Sequence, residues 1–165
     1  MRILILGAGY IGTFLDEKLS ALGNFTILKS RKELDYADFG VLHEWLEANP
    51  VECIINCSGY TDTRRAEQQR DLCWELNVKN PVIVSKQCEL RGIELIHLST
   101  GCLFNGYEKH YMETDITNFG VKSPIAPWYN KSKDAYEACS KYGLNLRIRY
   151  PYSDLTNPKS FLAKI

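Results

Sequence analysis

Arg2-Ile3-Leu4-Ile5-Leu6-Gly7-Ala8-Gly9-Tyr10-Ile11-Gly12 lies at the head of the chain. Apolar residues with β-branching, followed at once by glycine, predict a buried parallel strand over 2–6. Beyond it Ile11, Phe14, Leu15, Leu19 and Leu22 recur at helical spacing, so a helix is expected over 10–22, stopped by Gly23. Gly7, Gly9 and Gly12 fit G-x-G-x-x-G, and they stand between strand and helix, the context that gives this weak pattern weight. The first glycine permits a tight turn, the second lets a pyrophosphate approach the backbone, and the third lets helix and strand pack closely. Amides at the helix start, around Tyr10 and Ile11, add donors and a positive dipole. The alternative is a glycine-rich turn with no ligand.

Working outward, strands are expected over 25–28, 52–56, 93–98 and 144–149, with a very short one over 34–36. Helices are expected over 38–48, stopped by Asn49-Pro50, over 71–91 with a break near Asn80-Pro81, and over 128–142. Asn157-Pro158 reads as the start of a further helix. Residues 99–126 lack a strong period and read as a long functional loop. Strands alternating with helices imply an α/β fold, a doubly wound parallel sheet covered on both faces.

Composition excludes several classes. The chain has 165 residues, 45% hydrophobic and 24% charged, which is the make-up of one ordinary globular domain. Twenty basic and twenty acidic residues leave no net charge, so a general nucleic-acid binder is not expected. No apolar run approaches the ~20 residues of a membrane span, and the first residues read as mature sequence rather than a signal peptide. The six cysteines match no zinc spacing. They read as reduced thiols, mostly in the core, of a cytoplasmic protein, and no metal site is expected.

Three further stretches carry chemistry. At the end of the second strand, where an acid would bind a ribose 2′-hydroxyl, stands Lys29-Ser30-Arg31-Lys32. Cations there suit a 2′-phosphate, which favours NADPH over NADH, and Asp35 is placed to approach the adenine. After the middle strand, Asn56-Cys57-Ser58-Gly59 offers small residues that admit a cofactor ribose. After the next, Ser99-Thr100-Gly101-Cys102 brings hydroxyls to the carboxyl end of the sheet, where Thr100 can donate to a substrate oxygen. Tyr129 and Lys133, four apart on one helix face, form the last piece. A phenol of pKa about 10 is expected to be shifted down by the neighbouring ammonium and the positive nicotinamide of a bound cofactor, so that it can exchange a proton with a carbonyl or alkoxide near neutral pH.

Gly-rich loop, Asn-x-x-Gly after a middle strand, Ser-Thr at a strand end and Tyr-x-x-x-Lys, in that order, resemble the extended short-chain dehydrogenase/reductases. Gly59-Tyr60-Thr61, Thr100 to Phe104, Asp115 to Phe119 and Arg147 to Lys164 look closest to dTDP-4-dehydrorhamnose reductases and to bifunctional UDP-4-keto-6-deoxyglucose 3,5-epimerase/4-reductases. The resemblance spans essentially the whole chain. It implies a Rossmann-type NAD(P)-binding domain over 1–165, with 151–165 beginning a substrate-binding region that extends further in the family. It implies Thr100, Tyr129 and Lys133 as a reductase triad. It aligns Cys102 and Lys164 with the epimerase proton-exchange pair. It adds Tyr36, Tyr60, Asn77 and Pro151 to the cofactor-binding set, with a UDP- or dTDP-linked sugar as substrate, and it leaves a homodimer open. Two departures stand out. Leu6 replaces the first glycine of a G-x-x-G-x-x-G spacing, and Gly101-Cys102 replaces the Asp-Tyr of the simple reductases. A non-catalytic NADP-binding regulatory subunit is the alternative function, and a scaffold pairing through a sheet edge is a third reading.

Overall fold

A computed structural model describes residues 1–106, 110–149 and 151. Five parallel strands form one sheet: β1 (Arg2–Leu6), β2 (Phe25–Lys29), β3 (Cys53–Asn56), β4 (Glu94–Thr100) and β5 (Leu144–Ile148), in the order β2-β1-β3-β4-β5. The helices are α1 (Tyr10–Ala21), α2 (Phe39–Ala48), α3 (Arg70–Trp74), α4 (Asn80–Arg91) and α5 (Trp128–Cys139). Strand order reverses beside β1. The chain leaves β1 toward β2 and returns to β3, so a crevice opens over the carboxyl ends of β1 and β3.

Alternation along β1 separates two cores. Leu4 and Leu6 pack with Leu42, Leu46, Ile54 and Val84 beneath α2 and α4, while Ile3 and Ile5 pack with Ile55, Leu15 and Leu19 against α1. Leu4, Ile5, Leu6 and Ile54 are fully buried, each contributing roughly 1.5–3 kcal/mol of apolar burial. Asp38 caps α2, its Oδ1 accepting from the amides of Gly40 (2.8 Å) and Val41 (3.0 Å).

Several expectations need correction. Residues 34–36 form turns, not a strand, because their amides bond locally, Leu34 N–H to the Ser30 carbonyl and Tyr36 N–H to that of Leu34. The apolar alternation there arises because both side chains pack into the core. Leu22 lies outside α1 and is exposed. α5 stops at Cys139, where Ser140 turns away to bond Ser85 (2.6 Å) and Tyr142 donates to the Ile93 carbonyl (2.9 Å). Cys53, Cys73 and Cys88 are buried, but Cys139 is exposed, so the core reading of the cysteines holds for half of them. Among the described residues, no element covers the α1 side of β4 and β5. Phe14, Leu98, Leu146 and Ile148 line an open groove of about 380 Å³ there.

The expected break in the long helix is a widening. Residues Glu75–Lys79 form a π turn between α3 and α4. Pro81 has no N–H, and its ring crowds the carbonyl four residues back, at Asn77. One turn with wider spacing absorbs that conflict without ending the helix.

Candidate active site

The turn after β1 is as tight as its glycines require. Gly7 has φ +100°, and a Cβ there would stand 2.9 Å from the Ser58 amide nitrogen. A Cβ on Gly12 would overlap the Gly7 carbonyl oxygen at 2.0 Å, so helix and loop touch backbone to backbone. At Gly9, by contrast, a Cβ would meet nothing within 4 Å, and no side chain caps the start of α1. The start of α1 therefore stands beside a cradle of bare backbone. That is the geometry a pyrophosphate needs.

This cradle is one wall of a cleft of about 650 Å³, lined also by Tyr10, Ile11, Arg31, Tyr36, Cys57, Ser58, Gly59, Asn80 and Pro151. Ser58 is set by Asn56, whose Oδ1 accepts from its amide (3.0 Å) and its hydroxyl (2.6 Å). A second lobe of about 240 Å³ shares Ile11, Cys57, Ser58, Gly59 and Thr61 with the first. It adds Ser99, Thr100, Cys102, Tyr129 and Lys133. The residues singled out on three separate strand ends and one helix thus meet in one continuous cleft.

The second lobe is held by hydrogen bonds. Thr100 Oγ1 accepts from the Cys102 amide (3.1 Å), and the Thr100 side chain works against the rise of the Tyr129 phenol. Asn130 Nδ2 donates to the Cys102 carbonyl (2.7 Å), fixing the turn Gly101–Leu103 against α5. Asn77, carried inward by the π turn, accepts from the Tyr60 amide (2.8 Å) and donates to Ser132 Oγ (3.0 Å), which itself donates to the Tyr129 carbonyl (2.7 Å). Glu137 accepts from Ser99 and takes Arg147 in two bonds (2.6 and 3.1 Å), tying α5 to β4 and β5 one turn beyond Lys133.

Electrostatics differ from the sequence expectation. Lys133 is buried, its Nζ donating to the Leu98 carbonyl (3.2 Å), and loss of solvent pulls its pKa down to about 8, partly offset by Cys73 and Glu137. Among this chain's own groups, the balance at the Tyr129 phenol is upward. Burial dominates, and Thr100 offsets it only in part. Proximity along a helix does not aim the ammonium, and here Lys133 points at β4.

Lys29, Ser30, Asp35, Asn56, Tyr60 and Asn77 do not line either lobe. Asn56, Tyr60 and Asn77 lie behind it as supports. Ser30 bonds Glu33 through amide (2.9 Å) and hydroxyl (2.6 Å), and Asp35 accepts from Ala37 N–H (3.2 Å). Of the expected basic group only Arg31 reaches the cleft. Lys164 lies outside the described residues, as does Asn157-Pro158. Sequence reasoning missed Leu76, Asn80 and Arg149 as lining residues. Arg149 was findable, since it follows β5 at the carboxyl end of the sheet. Leu76 and Asn80 enter only because the π turn rotates their helix.

A protein-family model described as RmlD substrate binding domain matches residues 1–141. The chain belongs to this family. Among RmlD relatives, a dTDP-4-dehydrorhamnose reductase of Mycolicibacterium smegmatis is 28% identical over 109 residues, covering 66% of this chain and 33% of the relative. A bifunctional dTDP-4-dehydrorhamnose 3,5-epimerase/dTDP-4-dehydrorhamnose reductase of Arabidopsis thaliana is 34% identical over 176 residues, covering 99% and 57%. The crystal structure of a dTDP-4-dehydrorhamnose reductase from Bacillus anthracis in complex with NADP superposes with a TM-score of 0.77 at 25% identity, covering 99% of this chain and 57% of that one. The RmlD chain described here thus spans less than two thirds of the length of each. No helix among its described residues is long and apolar enough to cross a membrane.

Proposed function

We propose that the chain carries the cofactor-binding and proton-donating half of an NADPH-dependent reductase acting on a nucleotide-linked 4-keto-6-deoxy sugar, UDP- or dTDP-linked, in rhamnose-type deoxysugar synthesis. One observation supports this most. Thr100, Tyr129 and Lys133 line a lobe continuous with a glycine-walled cleft shaped for a dinucleotide. NADPH, when bound, supplies the hydride that reduces the ketone. Gly7, Gly9 and Gly12 admit its pyrophosphate to the backbone, and Lys133, beside Gly59, holds the ribose. Thr100 donates to the C4 oxygen of the sugar, and Tyr129 delivers a proton to that oxygen as it becomes an alcohol. The phenol is protonated at neutral pH, as a reduction that consumes a proton requires of its donor.

A 3,5-epimerase step is the second reading, favoured by Cys102, whose side chain lines the same lobe. A thiol there is placed to exchange protons at carbons beside the ketone, with Lys164 as its partner. Localisation in the cytoplasm fits free cysteines and an NADPH supply.

Oxidation of NADPH in the presence of a UDP- or dTDP-4-keto-6-deoxy sugar tests the reductase reading. Tyr129→Phe is expected to lower turnover by about 100-fold or more while leaving NADPH affinity within about twofold. NADPH binding by the wild-type protein with no turnover of either sugar refutes it in favour of a regulatory, non-catalytic role. Solvent deuterium at C3 or C5 that disappears in Cys102→Ala supports the epimerase step, and its persistence removes Cys102 from it.

A further inference from the structure

Among the described residues lining the larger lobe, Arg31 alone carries a full charge. Its neighbours in the basic stretch are turned to other work. Lys29 acts electrostatically on Glu33, and Glu33 in turn holds both polar groups of Ser30. Arg31 follows the end of β2, on the side of the cleft occupied by Tyr36, and its charge is felt by the Tyr36 phenol. Across the opening, the π turn begins at Glu75, immediately before the lining residue Leu76. Arg31 Nη1 lies 3.5 Å from Glu75 Oε1, and both side chains are nearly half exposed. The cation expected to meet a 2′-phosphate is therefore already paired with an anion of this chain.

We infer that Glu75 is the residue that sets how strongly this cleft prefers a 2′-phosphorylated dinucleotide, by holding Arg31 in an ion pair at its adenosine end. The inference rests on the proposed use of NADPH and deepens it. A guanidinium has five donors and can bridge carboxylate and phosphate together. The carboxylate nevertheless offsets the guanidinium charge, leaving less of it for a phosphate brought alongside. A 2′-hydroxyl carries no charge, so NADH gains little from the guanidinium and loses little to this pairing. Glu75 thus acts as a positioning residue that weakens discrimination between the two cofactors. The lysines at 29 and 32 do not restore it, because neither lines the cleft. Solvent screens an exposed pair of this kind, so the expected effect is moderate, about fivefold in affinity.

The test is dinucleotide binding, read by calorimetry or by quenching of protein fluorescence, with NADPH and NADH as probes. Glu75→Gln keeps the length of the side chain and its helix propensity, and circular dichroism with thermal melting checks the fold. Glu75→Gln is expected to tighten NADPH about fivefold and to change NADH by less than about twofold, with the gain shrinking at about 0.5 M salt. Arg31→Ala is expected to bring the two affinities close together. In an Arg31→Ala background, Glu75→Gln is expected to leave their ratio unchanged within about twofold, since the effect runs through Arg31. If Glu75→Gln leaves the NADPH to NADH ratio unaltered in a protein that binds NADPH, the inference is overturned while the cofactor reading stands. If the ratio changes equally with and without Arg31, the carboxylate acts on the phosphate directly and the role given to Arg31 is wrong. If the wild-type protein binds neither dinucleotide, the proposed function fails and takes this inference with it.

Discussion

Replacing Lys133 by methionine should make the protein more stable at neutral pH. The amine is 4% exposed, and burial lowers its pKa from 10.5 to about 8. That difference corresponds to about 3 kcal/mol by which the folded state disfavours the charged form. Methionine fills a similar volume without charge, and the lost bond to the Leu98 carbonyl returns about 1 kcal/mol. A net gain of about 2 kcal/mol is expected, or about 5 °C in melting temperature for a chain of this size. The pH dependence gives the sharper signature. Below about pH 8 the amine is protonated in both folded and unfolded chains, and the full penalty applies. Between about 8 and 10.5 the unfolded chain binds more protons than the folded one, so wild-type stability gains relative to the variant. Above that window the penalty is gone. Cys53, Cys57 and Cys88, pushed by burial to about 11, 12 and 12, act in the opposite direction at alkaline pH, but equally in both proteins. The measurement is urea denaturation of both proteins from about pH 6.5 to about pH 10, read as a difference. A variant less stable at neutral pH, or an advantage that does not change across the range, would show that the buried ammonium is not the strained group described above. The same substitution should remove the proposed reductase activity, so stability and function are expected to move in opposite directions.

Two other substitutions test the scaffold around the site. Gly7→Ala places a methyl group 2.9 Å from the Ser58 amide at φ +100° and is expected to cost about 2–4 kcal/mol in urea denaturation, with loss of dinucleotide binding. Glu137→Ala strips Arg147 and Ser99 of their carboxylate partner and is expected to cost about 2–3 kcal/mol, whereas a loss below about 0.5 kcal/mol would mean that solvent already carries the Arg147 charge.

The sheet was legible because its strands are short runs bounded by glycine, proline and asparagine, and because burial of β1 and β3 on both faces leaves little polar alternation there to mislead. The G-x-G-x-x-G turn, the hydroxyls after β4 and the Tyr129–Lys133 spacing were legible for a related reason. Each is a local pattern placed at the carboxyl end of a strand, and parallel topology gathers all such ends on one edge. The sequence by itself therefore pointed to Gly7, Gly9, Gly12, Thr100, Tyr129 and Lys133 as residues that line one cleft.

It did not determine what they do to one another once together. Lys133 was expected, with a bound nicotinamide, to lower the Tyr129 phenol, and Lys133 has no part in the shift of that phenol here, because four residues along a helix set only a shared face. Where an amine points, and how much solvent it loses, depends on β4 packed against it. The basic stretch 29–32 looked like three cations for one phosphate, yet only Arg31 faces the cleft, because Glu33 folds back onto Ser30 and a glutamate 44 positions away meets the guanidinium. Leu76 and Asn80 reach the cleft through a π turn whose cause, Pro81, was read as a break. Contacts between residues far apart in the chain, and the dielectric each charge experiences among them, exist only after the strands have assembled, and those two quantities decided the protonation and pairing of this site.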